Sequence, residues 1–254
     1  MKKFLCLMFF IFLLASPSFA QDQHQLFTGI LKDHVKDGVV DYRSLCEDAR
    51  FTKYMDQLIN TNTDNLGSDK EKLAFWINVY NAWTLKIICD NYPVKSINDL
   101  HSGGLAIGMI LKTTVWDKKL VTINNKKTSL SDIEHKILRP VFKDPRIHFA
   151  IVCAAKGCPP LRNEAYEADR LDRQLDEQGR LFLAQENKNS FMFDKRIAYI
   201  SPVFGWFKED FGKKPKAVLR FIARYLPKEK GNLLSQDTER WKIKYTNYDW
   251  SLNE

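Results

Sequence analysis

Cys158 is the residue of this sequence best suited to act as a nucleophile. It follows Gly157, which lets the backbone turn sharply, and it precedes Pro159 and Pro160, which stiffen the exit from the turn. A thiol becomes reactive when a nearby base or positive charge lowers its pKa and its sulfur reaches solvent. Our first hypothesis is therefore a thiol-dependent hydrolase or acyl transferase that acts on an amide or an ester.

Two histidines are candidates for the base that would take the thiol proton. His148 lies in residues 147–153, whose β-branched and aromatic side chains predict a strand, and the turn after it can bring Cys158 back towards the imidazole. His135 is the rival and stands beside Glu134 on a short predicted helix, where adjacent side chains diverge by about 100°. The sequence leaves the choice between the two bases open.

Three further side chains could orient that base. Asn78 and Asn81 are one turn apart on the same face of a helix that we predict to be buried, and buried amides need hydrogen-bond partners. Either could fix a histidine tautomer, hold a substrate carbonyl, or form core hydrogen bonds that fix the packing of the helix. Asp249, near the C-terminus, is the third candidate.

Cys158 also has explanations that involve no catalysis. It could pack as a small buried side chain, or it could bond to Cys153 across a short loop. Zinc is a weaker alternative, because a set of Cys153, Cys158, His135 and His148 lacks the close paired spacings of structural zinc sites. We therefore predict neither a metal nor another cofactor.

The N-terminus predicts export. Lys2 and Lys3 precede an apolar run over residues 4–15, and Ser18 and Ala20 supply the small side chains that a signal peptidase requires. We expect cleavage of residues 1–20 and a periplasmic or extracellular protein. The apolar run is shorter than the roughly 20 residues that a membrane-spanning helix needs, and no later segment qualifies, so we predict no integral membrane segment after cleavage.

Charge and length narrow the class of protein. The 254 residues carry a formal net charge of +8, of which Lys2 and Lys3 contribute two, so the mature chain carries +6. The basic residues are spread over short runs, which favours a solvated surface over a nucleic-acid groove. Removing 20 residues from 254 leaves 234, which is ample for one domain with a well-buried core.

The order of the predicted elements indicates an α+β fold. Ser68 and Glu71 form a capping box ahead of a helix over residues 69–90, which is apolar nearly all round and should be a buried central helix. Hairpins are predicted around Asn124-Asn125 and Asp194-Lys195. Further elements are predicted as helices over residues 130–139, 164–185, 202–211 and 215–226 and a final strand over residues 241–245. We predict a single domain, with helices packed around a small, largely antiparallel sheet.

Three segments carry a recognisable pattern. The first is Ala74–Ala82, which reads AFWINVYNA. The second is residues 146–161, which begins with RIHFA and ends with GCPPL, and the third is Tyr248–Asn253, which reads YDWSLN. Together they resemble the domain-of-unknown-function family numbered 547, and the pairs Glu134-His135 and Phe204–Phe207 are further matching points.

This resemblance runs from about Phe51 to the C-terminus, so residues 21–50 are predicted to be an N-terminal helical lead-in. It implies a shared fold and supplies no established activity. It also places Cys158 within the family pattern, in contrast to Cys46 and Cys153.

A second hypothesis comes from another class of protein. The aromatic clusters Phe204–Phe207 and Tyr248–Trp250 could line a surface that binds a peptide or a glycan, with Cys158 in a structural role. The expected partner is therefore a peptide, an ester or a glycan, and no nucleic acid.

Overall fold

The computed structural model describes residues 24–101 and 114–254. The predicted signal peptide, residues 1–20, lies outside the described residues. So does most of the glycine-containing stretch His101–Gly108, which the sequence predicts to be a mobile loop.

The described chain alternates helices with short strands. The helices are α1 (Gln25–His34), α2 (Tyr42–Glu47), α3 (Ala49–Ile59), α4 (Asp69–Cys89), α5 (Leu130–Asp132, continued by a π-helical stretch Ile133–Phe142), α6 (Ile147–Ala150), α7 (Leu171–Leu183), α8 (Val203–Trp206), α9 (Pro215–Ala223) and α10 (Lys228–Gln236). The strands are β1 (Val35–Lys36), β2 (Val39–Val40), β3 (Val121–Ile123), β4 (Lys126–Thr128), β5 (Ser190–Met192), β6 (Ile197–Ile200) and β7 (Lys242–Tyr245). Single 3-10 turns occupy Thr63–Asn65, Ile97–Leu100 and Thr238–Arg240.

Helix α4 is the buried central helix that the sequence predicts. The Ser68 hydroxyl accepts a hydrogen bond from the Glu71 N–H at 3.2 Å, and the Glu71 carboxylate accepts one from the Ser68 N–H at 2.7 Å. This capping box satisfies two of the N–H groups that a helix start leaves free. Side chains on every face of α4 are buried, so the helix forms the axis of the larger of two cores.

The second core is largely aromatic and packs α7, α8 and α9 against a three-stranded sheet. In that sheet β5 and β6 form the predicted antiparallel hairpin, and β7 adds to β6 in parallel. Helix α6 joins the two cores, because Ile147 and Ala150 pack in the α4 core whereas Phe149 packs in the aromatic one. The fold is thus mixed α+β, as predicted.

The two other strand pairs are separate antiparallel hairpins, β1 with β2 and β3 with β4. The turn between β3 and β4 is formed by Asn124 and Asn125, whose φ angles are +47° and +58°. Asparagine tolerates this left-handed region better than most residues, which confirms the predicted turn. No helix within the described ranges is long and apolar enough to cross a membrane.

The predicted strand over residues 147–153 is wrong. Residues 147–150 form a helical turn, and the extended residues that follow have no strand partner. The side chain of Asn81 takes the place of a neighbouring strand, because it donates to the Ala150 carbonyl at 2.9 Å and accepts from the Val152 N–H at 3.0 Å. An amide from a remote helix therefore satisfies the backbone that a sheet would otherwise satisfy.

Three predicted helix boundaries are also wrong. The helix predicted over residues 202–211 is only the short α8, which ends at Trp206. Helix α5 continues past Pro140 to Phe142 in π-helical form, in which the hydrogen-bond ladder is already shifted by one residue and a proline is tolerated. Helix α7 begins at Leu171 instead of near Glu164. The Glu164 carboxylate is held instead by ion pairs to Arg162 and Arg170 ahead of the helix.

Candidate functional site

Cys153 and Cys158 face each other across a tight turn and form a disulfide. The turn is closed by a hydrogen bond from the Cys158 N–H to the Ala155 carbonyl at 3.0 Å. Cys158 is buried, with 6% of its surface exposed, whereas Cys153 is half-buried. The Cys153 N–H lies 2.9 Å from the Cys158 sulfur and donates to it, so a backbone donor is aimed at Cys158.

The hydroxyl of Tyr248 contacts both sulfur atoms, at 3.1 Å from Cys153 Sγ and 3.2 Å from Cys158 Sγ. Burial raises the pKa of Tyr248, so this hydroxyl stays protonated and can donate. The C-terminal segment holds it there, because the Gly157 N–H donates to the Asp249 carbonyl at 2.8 Å. A Cβ atom on Gly157 would lie 2.9 Å from the Tyr248 ring, so a glycine is required for this close approach.

Lys188 places a cation beside the same turn. Its ammonium group donates to the Cys158 carbonyl at 2.6 Å. Burial lowers the pKa of Lys188 to about 8, and the nearby Asp249 carboxylate opposes that effect. Lys188 thus places a positive charge at the turn that carries Cys158, and positive charge near a cysteine favours the thiolate over the thiol.

His148 lies in a separate, charged cluster. Its Nε2 atom is 2.7 Å from the Asp210 carboxylate and its Nδ1 atom is 4.0 Å from the Glu134 carboxylate. The ring of Phe207 stacks on the imidazole, with 4.0 Å between ring centroids. Burial lowers the pKa of His148, although the bond to Asp210 raises it. Both ring nitrogens thus face carboxylates, and neither faces Cys158.

His135 is exposed and contacts an arginine instead of a thiol. Its Nδ1 atom is 2.8 Å from the Arg139 guanidinium, which also donates to Asp210 at 2.6 Å. Burial and then the Arg139 charge lower the pKa of His135. The hydrogen bond from His148 and the charge of Arg139 hold the pKa of Asp210 far below its usual range, so Asp210 is the fixed anion of this cluster.

Glu134 is the buried acid of the cluster. Its Oε2 atom is 3.4 Å from the Tyr80 hydroxyl, and its Oε1 atom has no hydrogen-bond partner among the described residues. Burial raises the pKa of Glu134 to about 7, although Arg139 opposes that shift. Burial raises the pKa of Tyr80, and Glu134 and then Tyr248 raise it further. Electrostatically, Tyr80 therefore links the buried acid to the tyrosine at the sulfur pair.

Replacing Glu134 with glutamine should flatten the pH dependence of stability. In the folded protein Glu134 binds its proton up to about pH 7, whereas an unfolded glutamate releases it near 4.5. The folded state therefore holds more protons between these values, and its stability falls as the pH rises through that window, by about 3 kcal/mol in full. Glu134→Gln removes this loss.

The measurement is the free energy of unfolding in urea from pH 5 to pH 8, taken as the difference between variant and wild type so that other titrating groups cancel. Exposed Glu186 provides the matched control, Glu186→Gln. A Glu134→Gln difference that does not grow in favour of the variant between pH 5 and pH 7 would contradict this assignment.

The two predicted asparagines bond to the backbone. Asn78 pairs with the backbone of Tyr166 through both its amide groups, at 2.8 and 2.9 Å. Asn81 pairs in the same way with the segment between His148 and Cys153. Asp249 is exposed and accepts hydrogen bonds from Ser251, which lower its pKa. None of the three contacts a histidine.

An aromatic surface adjoins the sulfur pair. Trp206, which is 51% exposed, lies 4.8 Å from the ring of Tyr248 and 5.9 Å from that of Trp250, between centroids. Tyr248 and Trp250 are 4.5 Å apart, and Trp116 follows Trp250 at 6.2 Å. We call these four residues the aromatic surface. Flat rings in this arrangement can stack against a sugar or an extended peptide.

The site therefore brings together only part of the predicted set. Cys158 contacts Cys153 and Tyr248. His148 and His135 lie instead in the separate charged cluster, where they contact Asp210 and Arg139. Tyr248 was predicted as part of an aromatic surface and of the family pattern but not as a partner of the cysteines, and Lys188 and Asp210 were not predicted. The contacts of these three residues span 30 to 95 positions of the sequence. The zinc set is not assembled, since the two cysteines bond to each other and His148 bonds to Asp210.

These features define a mixed α+β protein with a cysteine pair beside an aromatic surface. A family model described as "Protein of unknown function, DUF547" matches residues 64–183. This match supports the assignment of the chain to that family, and it confirms the resemblance over the matched residues, which include AFWINVYNA and residues 146–161 and do not include YDWSLN. No curated protein and no solved structure matches the chain.

Proposed function

We propose that Cys153 and Cys158 carry out thiol–disulfide exchange with cysteines of another protein. One observation carries this proposal: the Cys158 sulfur lies between two hydrogen-bond donors, the Cys153 N–H at 2.9 Å and the Tyr248 hydroxyl at 3.2 Å. Donors aimed at a sulfur stabilise the thiolate that leaves when a disulfide opens. Lys188 adds a positive charge at the same turn.

The exchange proceeds in two displacements. A substrate thiolate attacks Cys153 Sγ, the bond to Cys158 breaks, and its electron pair stays on Cys158 as a thiolate. A second substrate thiolate then attacks the substrate sulfur of the mixed disulfide and releases the Cys153 thiolate. The substrate loses two electrons and gains a disulfide, and the cysteine pair gains both electrons. A disulfide of another protein or of a small molecule reoxidises the pair by the reverse steps.

Exposure decides which sulfur is attacked. Cys153 is half-buried and reachable, whereas Cys158 is 6% exposed and is enclosed by its donors. The accessible sulfur therefore receives the incoming thiolate, and the enclosed sulfur is the leaving group.

The hydrolase or acyl-transferase hypothesis has less support from this geometry. It requires a base in contact with Cys158, and both nitrogens of His148 face Asp210 and Glu134. Exchange between cysteines needs no such base, because the attacking group is already a thiolate.

The proposal is tested by trapping the mixed disulfide. Cys158→Ser and Cys153→Ser each leave one sulfur of the pair, and each variant is incubated with oxidised glutathione, quenched in acid and mapped by peptide mass. We expect Cys153 in the first variant to form the glutathione adduct at least about tenfold faster than Cys158 in the second, because of its access to solvent. Equal rates, or a faster reaction at Cys158, would refute this order of steps.

The aromatic surface supports a second candidate, a binding module for a peptide or a glycan in which the cysteine pair is structural. The supporting observation is the 51% exposure of Trp206 beside Tyr248 and Trp250. Tryptophan fluorescence is titrated with an N-acetylglucosamine oligomer and with an unstructured peptide. Binding that is lost in Trp206→Ala, retained in the control Leu233→Ala and unaffected by Cys158→Ser would favour this candidate over exchange.

A further inference from the structure

A groove of about 520 Å³ lies between α7, α9 and the segment that follows α5. Four cationic side chains line it, those of Lys143, Arg146, Arg180 and Arg224. Two carboxylates also line it, those of Asp144 and Asp176. The lining therefore carries a net charge of +2, and its volume is that of a typical small-molecule site.

Arg146 is engaged by three carboxylates. The guanidinium donates to Asp144 at 2.7 Å, to Asp176 at 3.0 Å and to Asp172, just outside the groove, at 2.8 Å. Three anions hold Arg146 in one orientation, so both acidic side chains of the groove are already engaged.

The other three cations are left without a counter-charge. Lys143, Arg180 and Arg224 are exposed and form no ion pair with any carboxylate of residues 24–101 or 114–254. Arg224 is positioned by its guanidinium, which lies 5.4 Å above the centre of the Phe221 ring. Like charges that converge on a concave surface repel one another and raise the local concentration of anions.

We propose that this groove binds a small molecule that carries two or more phosphoryl or carboxylate groups. Planar guanidinium groups bind both kinds of oxyanion through paired N–H donors. Arg180 on α7, Arg224 after α9 and Lys143 just after α5 come from three different parts of the chain and line the same groove. Tyr225, which lines the same groove, offers a ring against which an organic part of the ligand packs.

The test uses inorganic pyrophosphate and citrate as probes of the two oxyanion classes, titrated by calorimetry into the full mature chain. We expect saturable binding of at least one probe at concentrations below about 10 mM. Arg180→Gln and Arg224→Gln should each weaken it about tenfold, the loss expected for one charge-assisted hydrogen bond. Arg43 is an exposed arginine outside the groove, and the control Arg43→Gln removes the same charge.

The comparison of probes identifies the ligand class. Tighter binding of pyrophosphate indicates a phosphoryl compound, and tighter binding of citrate indicates a polycarboxylate. Failure of both probes to saturate would overturn the proposal, and so would an equal loss of affinity in Arg43→Gln, which would indicate attraction to the overall charge. None of these outcomes depends on the cysteine pair.

Discussion

Removing the Cys46–Cys89 disulfide should lower the free energy of unfolding by about 4 kcal/mol. This bond joins α2 to the end of α4 and spans 43 positions of the sequence. A cross-link over a loop of that length strongly restricts the unfolded chain, which gives the stated magnitude in the chain-entropy account. Cys46→Ser combined with Cys89→Ser is measured by urea unfolding against the wild-type protein.

The cysteine pair of the site provides the matched control. Cys153 and Cys158 are five positions apart, so the same account predicts a loss of only about 2 kcal/mol for their double serine variant. The first disulfide is thus expected to stabilise the fold and the second to be dispensable for it. Equal losses for the two double variants would contradict that division.

Replacing Asn81 with alanine should destabilise the protein by roughly 2–6 kcal/mol. The change leaves two buried backbone groups without partners, the Ala150 carbonyl and the Val152 N–H, and each unsatisfied group costs about 1–3 kcal/mol. It should also raise the pKa of the reduced Cys158 thiol. Loss of the Val152 contact loosens the segment whose next residue donates to that sulfur.

A variant of Asn78 separates the loss of stability from the change in the pKa of the Cys158 thiol. Asn78 lies on the same helix and also binds two backbone groups, but these belong to Tyr166 and not to the cysteine segment. We expect Asn78→Ala to lose comparable stability and to leave the thiol pKa unchanged, as measured by the pH dependence of alkylation of the reduced protein. A similar pKa change in both variants would show that Asn81 has no special role in positioning Cys153.

Local patterns in the sequence predict much of the fold. The capping box and the all-round apolar surface predict α4, and the paired asparagines predict the β3–β4 turn, because each signal lies within the element that it specifies. The strand predicted over residues 147–153 failed for the opposite reason. Its backbone is satisfied by Asn81, some 70 positions away, and no local propensity carries that information.

The candidate site also depends on contacts between distant residues that local sequence patterns do not specify. Cys158 and His148 belong to matching segments, but their contacts with Tyr248 and Asp210 depend on how distant elements pack. Pairing of Cys158 with Cys153 was one of the alternatives that the sequence left open, and the structure shows that pairing. The segments that resemble the family nonetheless converge: AFWINVYNA contributes Tyr80, and YDWSLN contributes Tyr248.

The central claim is that the Cys153–Cys158 pair is exchangeable in the folded protein, and equilibration with glutathione tests it most directly. The protein is incubated in buffers of graded ratios of reduced to oxidised glutathione, quenched in acid, alkylated and mapped by peptide mass, while circular dichroism follows the fold. We predict that Cys153 and Cys158 become reduced together while Cys46 and Cys89 stay bonded and the protein stays folded. Reduction of Cys153 and Cys158 only when the protein unfolds, or only together with Cys46 and Cys89, would contradict the account.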